Sequence, residues 1–403
     1  MKMPIYMDYH ATTPVDPGVV EAMLPYMTDQ FGNAASRQHA YGWEAEGAVE
    51  HARKSIAESI NASPNEIVFT SGATESNNLA LKGVAEAIRS KGNHIICGRT
   101  EHRSILDVCE VLSRNGFRVS YVDVDGEGVV RPEAVLGLMT SDTILVSVMA
   151  ANNEIGTISP LEEIGRVCLE RGVLFHSDAT QAYGKIPLDV RRMNIHLLSI
   201  SAHKICGPKG VGALYVRKKN PRVSLVPQQD GGGHEGGMRS GTLNVPGIVG
   251  LAKAAEISFR TLHEESGRVG MLRDRLEESL LSIEGARRNG DPANRLWNNI
   301  SVTIPYVRAE GLIAALKNDI AISSGSACSS ADRDAAKVSH VLHAVGLDDE
   351  MARCTIRIGV GRFTTAEEVE YAAGKIIDAV GVLRAQSPEY QLSMKSVSHN
   401  VPT

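Results

Sequence analysis

The chain has 403 residues, 43% apolar and 22% charged, the balance of an ordinary globular protein long enough for two or three domains. A net charge of -5 gives no global attraction to nucleic acid or to an anionic membrane surface. No stretch approaches the roughly 18 apolar residues of a membrane span, and the opening MKMPIYMDYH lacks a signal peptide's apolar segment, so a cytoplasmic location is expected.

In chain order, the first strong pattern is a strand over 66–70. A helix over 74–90 follows, with Leu79, Ala80, Gly83, Val84, Ala87 and Ile88 on one stripe. Further strands are predicted over 94–97, 118–124, 143–149, 173–177 and 196–201, with helices over 104–115 and 161–171 among them. The apolar run at 212–216 ends in a basic cluster, Arg217 to Arg222, expected as a solvated turn. Strand–helix alternation of this kind predicts an α/β fold with a mostly parallel sheet covered by helices. Ligands bind such sheets at the carboxyl ends of the strands.

From about Ile257 the texture changes. A charged helix over 263–282 is followed by a strand over 299–304, a helix over 309–317 and a small-residue loop at 323–330. A segment over 338–345, a strand over 355–360 and a helix over 365–384 complete an α+β pattern, which points to a second, smaller domain. The stretch 386–403 is polar and expected to fray.

Residues just after the strands carry the candidate chemistry. Thr70 to Thr74 join a strand to a helix start, where free backbone N–H groups and the helix dipole suit a phosphate; the same residues also fit an ordinary cap with Thr74 as N-cap. Asp178, with Gln181 three residues on, and Lys204 each follow a strand. A Schiff-base lysine with an Asp to pair a pyridinium nitrogen is what a pyridoxal-phosphate (PLP) site requires. His102, Asn153, Ser201 and His203 fall at other strand ends, and a glycine-rich segment runs from Gly231 to Thr242. Of six cysteines, Cys97, Cys109, Cys168, Cys206, Cys328 and Cys354, none forms C-x-x-C. Most lie in apolar or helical surroundings and read as core residues. Cys328, in Ser323 to Ser330, fits either a small buried thiol in a tight turn or a nucleophile on a loop. His340 and His343 are three apart on one helix, with no ligand pattern nearby, and read as helix-surface residues rather than as metal ligands.

The segments TSGATES, TEH, NNEIG, DATQ, SAHK, GPKG, GGGHEGGMRSGT, SSGSAC and IRIGVGRFTT resemble those of the NifS/IscS-type cysteine desulfurases. These are fold-type-I PLP enzymes related to the class V aminotransferases. The likeness runs from Ile5 to about Ser387. It implies a large PLP-binding domain over 15–260 with a seven-stranded sheet, and a small domain from 1–14 and 261–403 carrying a catalytic cysteine loop at about 323–335. By resemblance, Lys204 bonds the cofactor and later moves protons at the substrate α-carbon. Asp178 keeps the pyridine nitrogen protonated, Gln181 bonds the phenolic oxygen, and His102 stacks on the ring and acts as acid or base. Ala73, Thr74, Ser201 and His203 hold the phosphate, joined by Thr242 of the other subunit of a homodimer. Asn153 contacts cofactor and substrate, and Arg357 grips the substrate carboxylate. The implied reaction converts L-cysteine to L-alanine and leaves the sulfur on Cys328 as a persulfide. An acceptor such as an iron–sulfur scaffold protein then takes it. The resemblance implies no resident metal, although Cys328 could transiently ligate an iron–sulfur cluster.

Departures from the pattern leave the acceptor open among iron–sulfur assembly, tRNA thiolation and DNA sulfur modification. Many relatives carry Pro at Ala34 and Tyr at Cys206, the segment 331–337 is more charged than usual, and the tail used for scaffold contact is lacking. A selenocysteine lyase or a class V aminotransferase on the same fold is the alternative enzyme, although a transaminase has no use for Cys328. A non-catalytic sulfur-relay scaffold is the alternative outside enzymes; it has no need for Lys204, Asp178 and His102 together.

Overall fold

The structure is a computed structural model that describes residues 1–325 and 338–392. After the two-residue strand β1 (Ile5–Tyr6), seven strands build the central sheet. They are β2 (Ile67–Thr70), β3 (His94–Gly98), β4 (Arg118–Val122), β5 (Thr143–Ser147), β6 (Leu174–Asp178), β7 (Leu197–Ser201) and β8 (Gly212–Val216). Their spatial order is β2-β8-β7-β6-β5-β3-β4; β8 runs antiparallel to both neighbours and the remaining pairs are parallel.

The near-continuous apolar strands have a simple cause: both faces of the sheet are covered. Alternate residues serve opposite cores. Val68, Ile95, Leu145, Leu197 and Leu214 pack with Leu79, Val84 and Ile105 of the helices Ala73–Ala87 and Arg103–Arg114. Their neighbours Phe69, Ile96, Val146, Leu198 and Tyr215 pack on the other face with Val49 and Ile56 of the helix Ala40–Ser59.

The remaining strands are β9 (Arg287–Arg288), β10 (Asn299–Thr303), β11 (Ile320–Ala321), β12 (Ser323–Ser324) and β13 (Thr355–Gly359). An antiparallel sheet in the order β12-β13-β10-β9 packs on the helices Ala309–Leu316 and Ala366–Gln386 through Ile300, Val302, Ile356, Leu312 and Ile376. β1 pairs in parallel with β11, so the start of the chain lies beside this smaller sheet.

Two expectations are corrected here. The break near Ile257 falls inside one 37-residue helix, Val245–Leu281, of which the expected charged helix is the second half. Ile248, Leu251 and Ala255 belong to the core of the central sheet, and Val269, Leu276 and Leu280 to that of the smaller one. The basic cluster is not wholly solvated either: Arg217 is buried and donates to the Val190 carbonyl at 3.0 Å, while the Lys218 amide donates to Glu66 Oε1 at 2.9 Å. Among the described residues, no helix is long and apolar enough to cross a membrane.

Candidate active site

Four strand ends and one helix start converge on a cavity of about 520 Å³. Beyond β2 the chain turns through Gly72, whose φ of 151° suits glycine, and enters the helix Ala73–Ala87. Gly72, not Thr74, is the N-cap, and no side chain caps this helix, which leaves first-turn amides for an anion. Ala73 and Thr74 line the cavity at that point. Close to them stand Ser201, at the end of β7, and His203 and Lys204 in the turn that follows. Burial, with Lys204 and Lys209 nearby, pulls His203 down to about 4, so it is neutral at pH 7 and can donate a hydrogen bond without adding charge.

Lys204 donates to the carbonyls of His10 and Ala11, the latter at 2.8 Å. The segment that supplies them is fastened to the lysine turn: Thr13 Oγ1 donates to the His203 carbonyl at 2.9 Å and accepts from the Cys206 amide at 2.9 Å. Asp178 ends the neighbouring strand β6. Its Oδ2 accepts from Asn77 Nδ2 at 2.8 Å and its Oδ1 from the Thr180 amide at 2.9 Å. Gln181, one turn on, also faces the cavity.

His102 follows β3 and caps the helix Arg103–Arg114, with Nδ1 accepting from the Ser104 amide at 3.2 Å; in the neutral ring the proton is therefore on Nε2. Arg357, on β13, is 2% exposed and held between the Asn153 carbonyl and Asp8 Oδ1, both at 3.0 Å. Arg357 brings the smaller sheet to the cavity, where it meets Asn153 beyond β5 of the central sheet. Beneath His102 and Asn153 lie two buried carboxyls. Burial pushes Glu101 well above the usual carboxylate range and Glu154 up to about 7, the latter partly offset by its Ser339 hydrogen bond and by Arg357.

Ten expected site residues thus share one cavity: Ala73, Thr74, His102, Asn153, Asp178, Gln181, Ser201, His203, Lys204 and Arg357. Thr242 is exposed and outside it. Cys328, with most of its expected loop, lies outside the described residues. The cysteines Cys97, Cys109, Cys168, Cys206 and Cys354 are all buried free thiols. His340 is not a plain surface residue: it is partly buried and donates to the Glu101 carbonyl at 3.0 Å, whereas His343 is exposed. Among the described residues no group of three or more His, Cys, Asp or Glu could hold a metal ion.

Sequence reasoning missed His10, Asn77 and Lys185. His10 precedes the periodic pattern, and Asn77 sits mid-helix like any polar residue. Lys185 lies in a turn that reads as solvated. Nothing local marks them; only tertiary packing buries them at the site, at 1%, 0% and 6% exposure.

The pocket's donors fit PLP. It offers an uncapped helix start for a phosphate, a lysine, a buried carboxylate one strand away, and a buried arginine for a carboxylate substrate. The Aminotransferase class-V family model matches residues 5–372. A cysteine desulfurase IscS of Anaeromyxobacter dehalogenans (strain 2CP-C) is 53% identical over 401 residues, covering 99% of this chain and 98% of that one. Among solved structures, a NifS-like protein superposes with TM-score 0.87 at 40% identity, covering 94% of this chain and all of that one. SspA in complex with cysteine superposes with TM-score 0.78 at 38% identity, covering 90% and 100% of the two chains. The chain belongs to the class V aminotransferase family and, within it, to the cysteine desulfurases of the NifS/IscS type. Both groups are PLP-dependent.

Proposed function

We propose that this chain uses PLP bound at Lys204 to convert L-cysteine to L-alanine, leaving the substrate's sulfur on Cys328. One observation carries the reading: Lys204 and Asp178 stand at adjacent strand ends, on one cavity with an uncapped helix start. Bound PLP would supply the electron sink that lets a proton leave the substrate's α-carbon. The protein does the rest. Arg357 and Asn153 orient the carboxylate, and Lys204 moves the α-proton. His102, with Nδ1 occupied by Ser104, has Nε2 for proton exchange at the substrate thiol. The Cys328 thiolate attacks the substrate sulfur, the carbon–sulfur bond breaks, and the carbon takes a proton to give alanine. The persulfide then passes to an acceptor, an iron–sulfur scaffold or a tRNA or DNA sulfur-modification protein.

The working form is a homodimer in the cytoplasm, and the central and smaller sheets, each with its packed helices, correspond to a large and a small domain spanned by one helix. Leu24, Met27, Phe31, Tyr41 and Trp43, all large and exposed, suit contact with a second copy, and Thr242 is exposed near the end of the glycine-rich segment.

The test is chemical. Brief exposure to L-cysteine should release alanine and add one sulfur to the Cys328 peptide by mass spectrometry. Cys328→Ser should keep the visible cofactor band yet yield almost no alanine, and Lys204→Ala should lose the band that borohydride fixes in the wild type. Alanine release by Cys328→Ser, or sulfur mapping to Cys206 or Cys354, refutes the mechanism.

A further inference from the structure

Lys185 has no part in the reaction as described, yet it lies against the site, and a lysine only 6% exposed needs a reason. Its Nζ donates to Gln181 twice, to the backbone carbonyl at 3.1 Å and to the side-chain Oε1 at 3.3 Å. The charged and titratable groups facing it are Lys204, Cys206, Glu265 and His10, and Glu265 is already held by Arg362 at 3.0 Å. Burial and Lys204 pull Lys185 down to about 7. Near neutrality it exchanges between ammonium and amine, and both forms donate hydrogen bonds.

The other contacts of Gln181 make this donor matter. Nε2 donates to the His10 carbonyl at 3.0 Å, and Oε1 faces His10 Nδ1 at 3.2 Å. His10 Nε2, however, faces the Asn298 carbonyl at 3.2 Å. Burial, with Lys185 and Arg357 nearby, holds His10 well below its ordinary value, so it carries one proton for two acceptors. Lys185 is thus the donor on Oε1 that does not depend on a tautomer.

We propose that Lys185 is a positioning residue that locks the Gln181 carboxamide so that an N–H, and not the oxygen, is presented to the cavity. With one N–H on the His10 carbonyl and Oε1 held by donors, the second N–H is the group left for a ligand. A flipped amide would set its oxygen against the His10 carbonyl. The inference rests on the proposed PLP site, together with the role that the family resemblance gives Gln181, a hydrogen bond to the cofactor's phenolic oxygen.

The test is the pH titration of the visible cofactor band in the loaded wild type, Lys185→Met and Lys185→Gln. Loss of an N–H to the phenolic oxygen disfavours the more anionic, deprotonated chromophore, so Lys185→Met should raise the midpoint by about one pH unit. Lys185→Gln, a neutral side chain that can still donate, should stay within about 0.3 unit of wild type. An unchanged midpoint in Lys185→Met overturns the proposal. Equal shifts in both variants do so too, since charge alone would then explain them. Circular dichroism of the cofactor-free proteins checks folding; a folded Lys185→Met that loses cofactor while Lys185→Gln keeps it supports the proposal, and loss in both overturns it. Absence of any cofactor band in wild type would instead sink the PLP reading.

Discussion

Asn77 joins Asp178 and His102, two residues to which the proposed mechanism gives different tasks. One N–H of its amide goes to Asp178 Oδ2 and the other to Ser104 Oγ, both at 2.8 Å, and the Ser104 hydroxyl meets His102 Nδ1 at 2.9 Å. Its own Oδ1 is buried without a partner, a cost that the two donated bonds offset. Hydrogen bonds to charged groups contribute about 1.5–3 kcal/mol. Asn77→Ala should therefore lower kcat for alanine formation by roughly ten- to a hundredfold with KM little changed and cofactor retained. Steady-state kinetics with an absorbance check decides it; a raised KM at unchanged kcat would place Asn77 in substrate binding instead. Asp178, Lys204 and His102 could be placed on the cavity from the sequence because each lies at or just beyond a strand end, where chemistry is sought. Asn77 and Lys185 could not, because nothing in a helix or turn pattern says which polar residue tertiary packing will bury.

Among the elements, β8 shapes the end of the cavity proposed for the phosphate. It is wedged antiparallel between β2 and β7, with Gly212 opposite both Thr70 and Ser201. A Cβ on Gly212 would lie 2.5 Å from the Ile200 carbonyl oxygen and 2.7 Å from the Gly72 Cα, so backbone must move, and with it the start of the helix that leads from Gly72. Overpacking of this kind costs about 1–3 kcal/mol. Gly212→Ala should weaken cofactor binding by about tenfold or more, measured by titrating PLP into the cofactor-free protein; unchanged affinity would free Gly212 of that role. The β–α alternation was readable from periodicity, and strand ends matched within a few residues. The long helix was not readable as one element. Its first half is rich in small residues, Gly247, Gly250, Ala252, Ala254 and Ala255, and its second half is charged, because the two halves meet different cores. A change of burial partner looks, in sequence, like the end of a helix.

On the scale of the whole molecule, buried neutral histidines set the response to acid. His176 lies between Ser147 Oγ at 2.9 Å and Ser199 Oγ at 3.0 Å, and burial holds it at about 4. His196 is held at about 3 and His203 at about 4, chiefly by burial, and His10 falls well below its ordinary value. Each of these takes up a proton in the unfolded chain near pH 6.5 but not in the folded one until its lowered pKa is reached. Stability is therefore unaffected by them above pH 6.5 and falls as pH drops toward 4, by about 1.4 kcal/mol per pH unit for each full proton of difference. Glu101 and Glu154 act in the opposite sense: Glu154 favours folding as pH falls from about 7 toward 4.5, and Glu101, raised well above its ordinary value by burial, acts the same way. The histidines outnumber them, so the net slope remains destabilising. Calorimetry from pH 8 to 4, on cofactor-free protein so that cofactor linkage does not enter, should show a thermal midpoint that falls steadily below pH 6.5; above it Lys185, held at about 7, and Glu154, raised to about 7, act in opposite senses. His176→Gln keeps a partner for both serines and has no proton to gain, so its decline should be shallower than that of wild type. A midpoint that stays flat or rises toward pH 4.5, or a variant that follows wild type at every pH, would show that these histidines are not kept neutral by the fold.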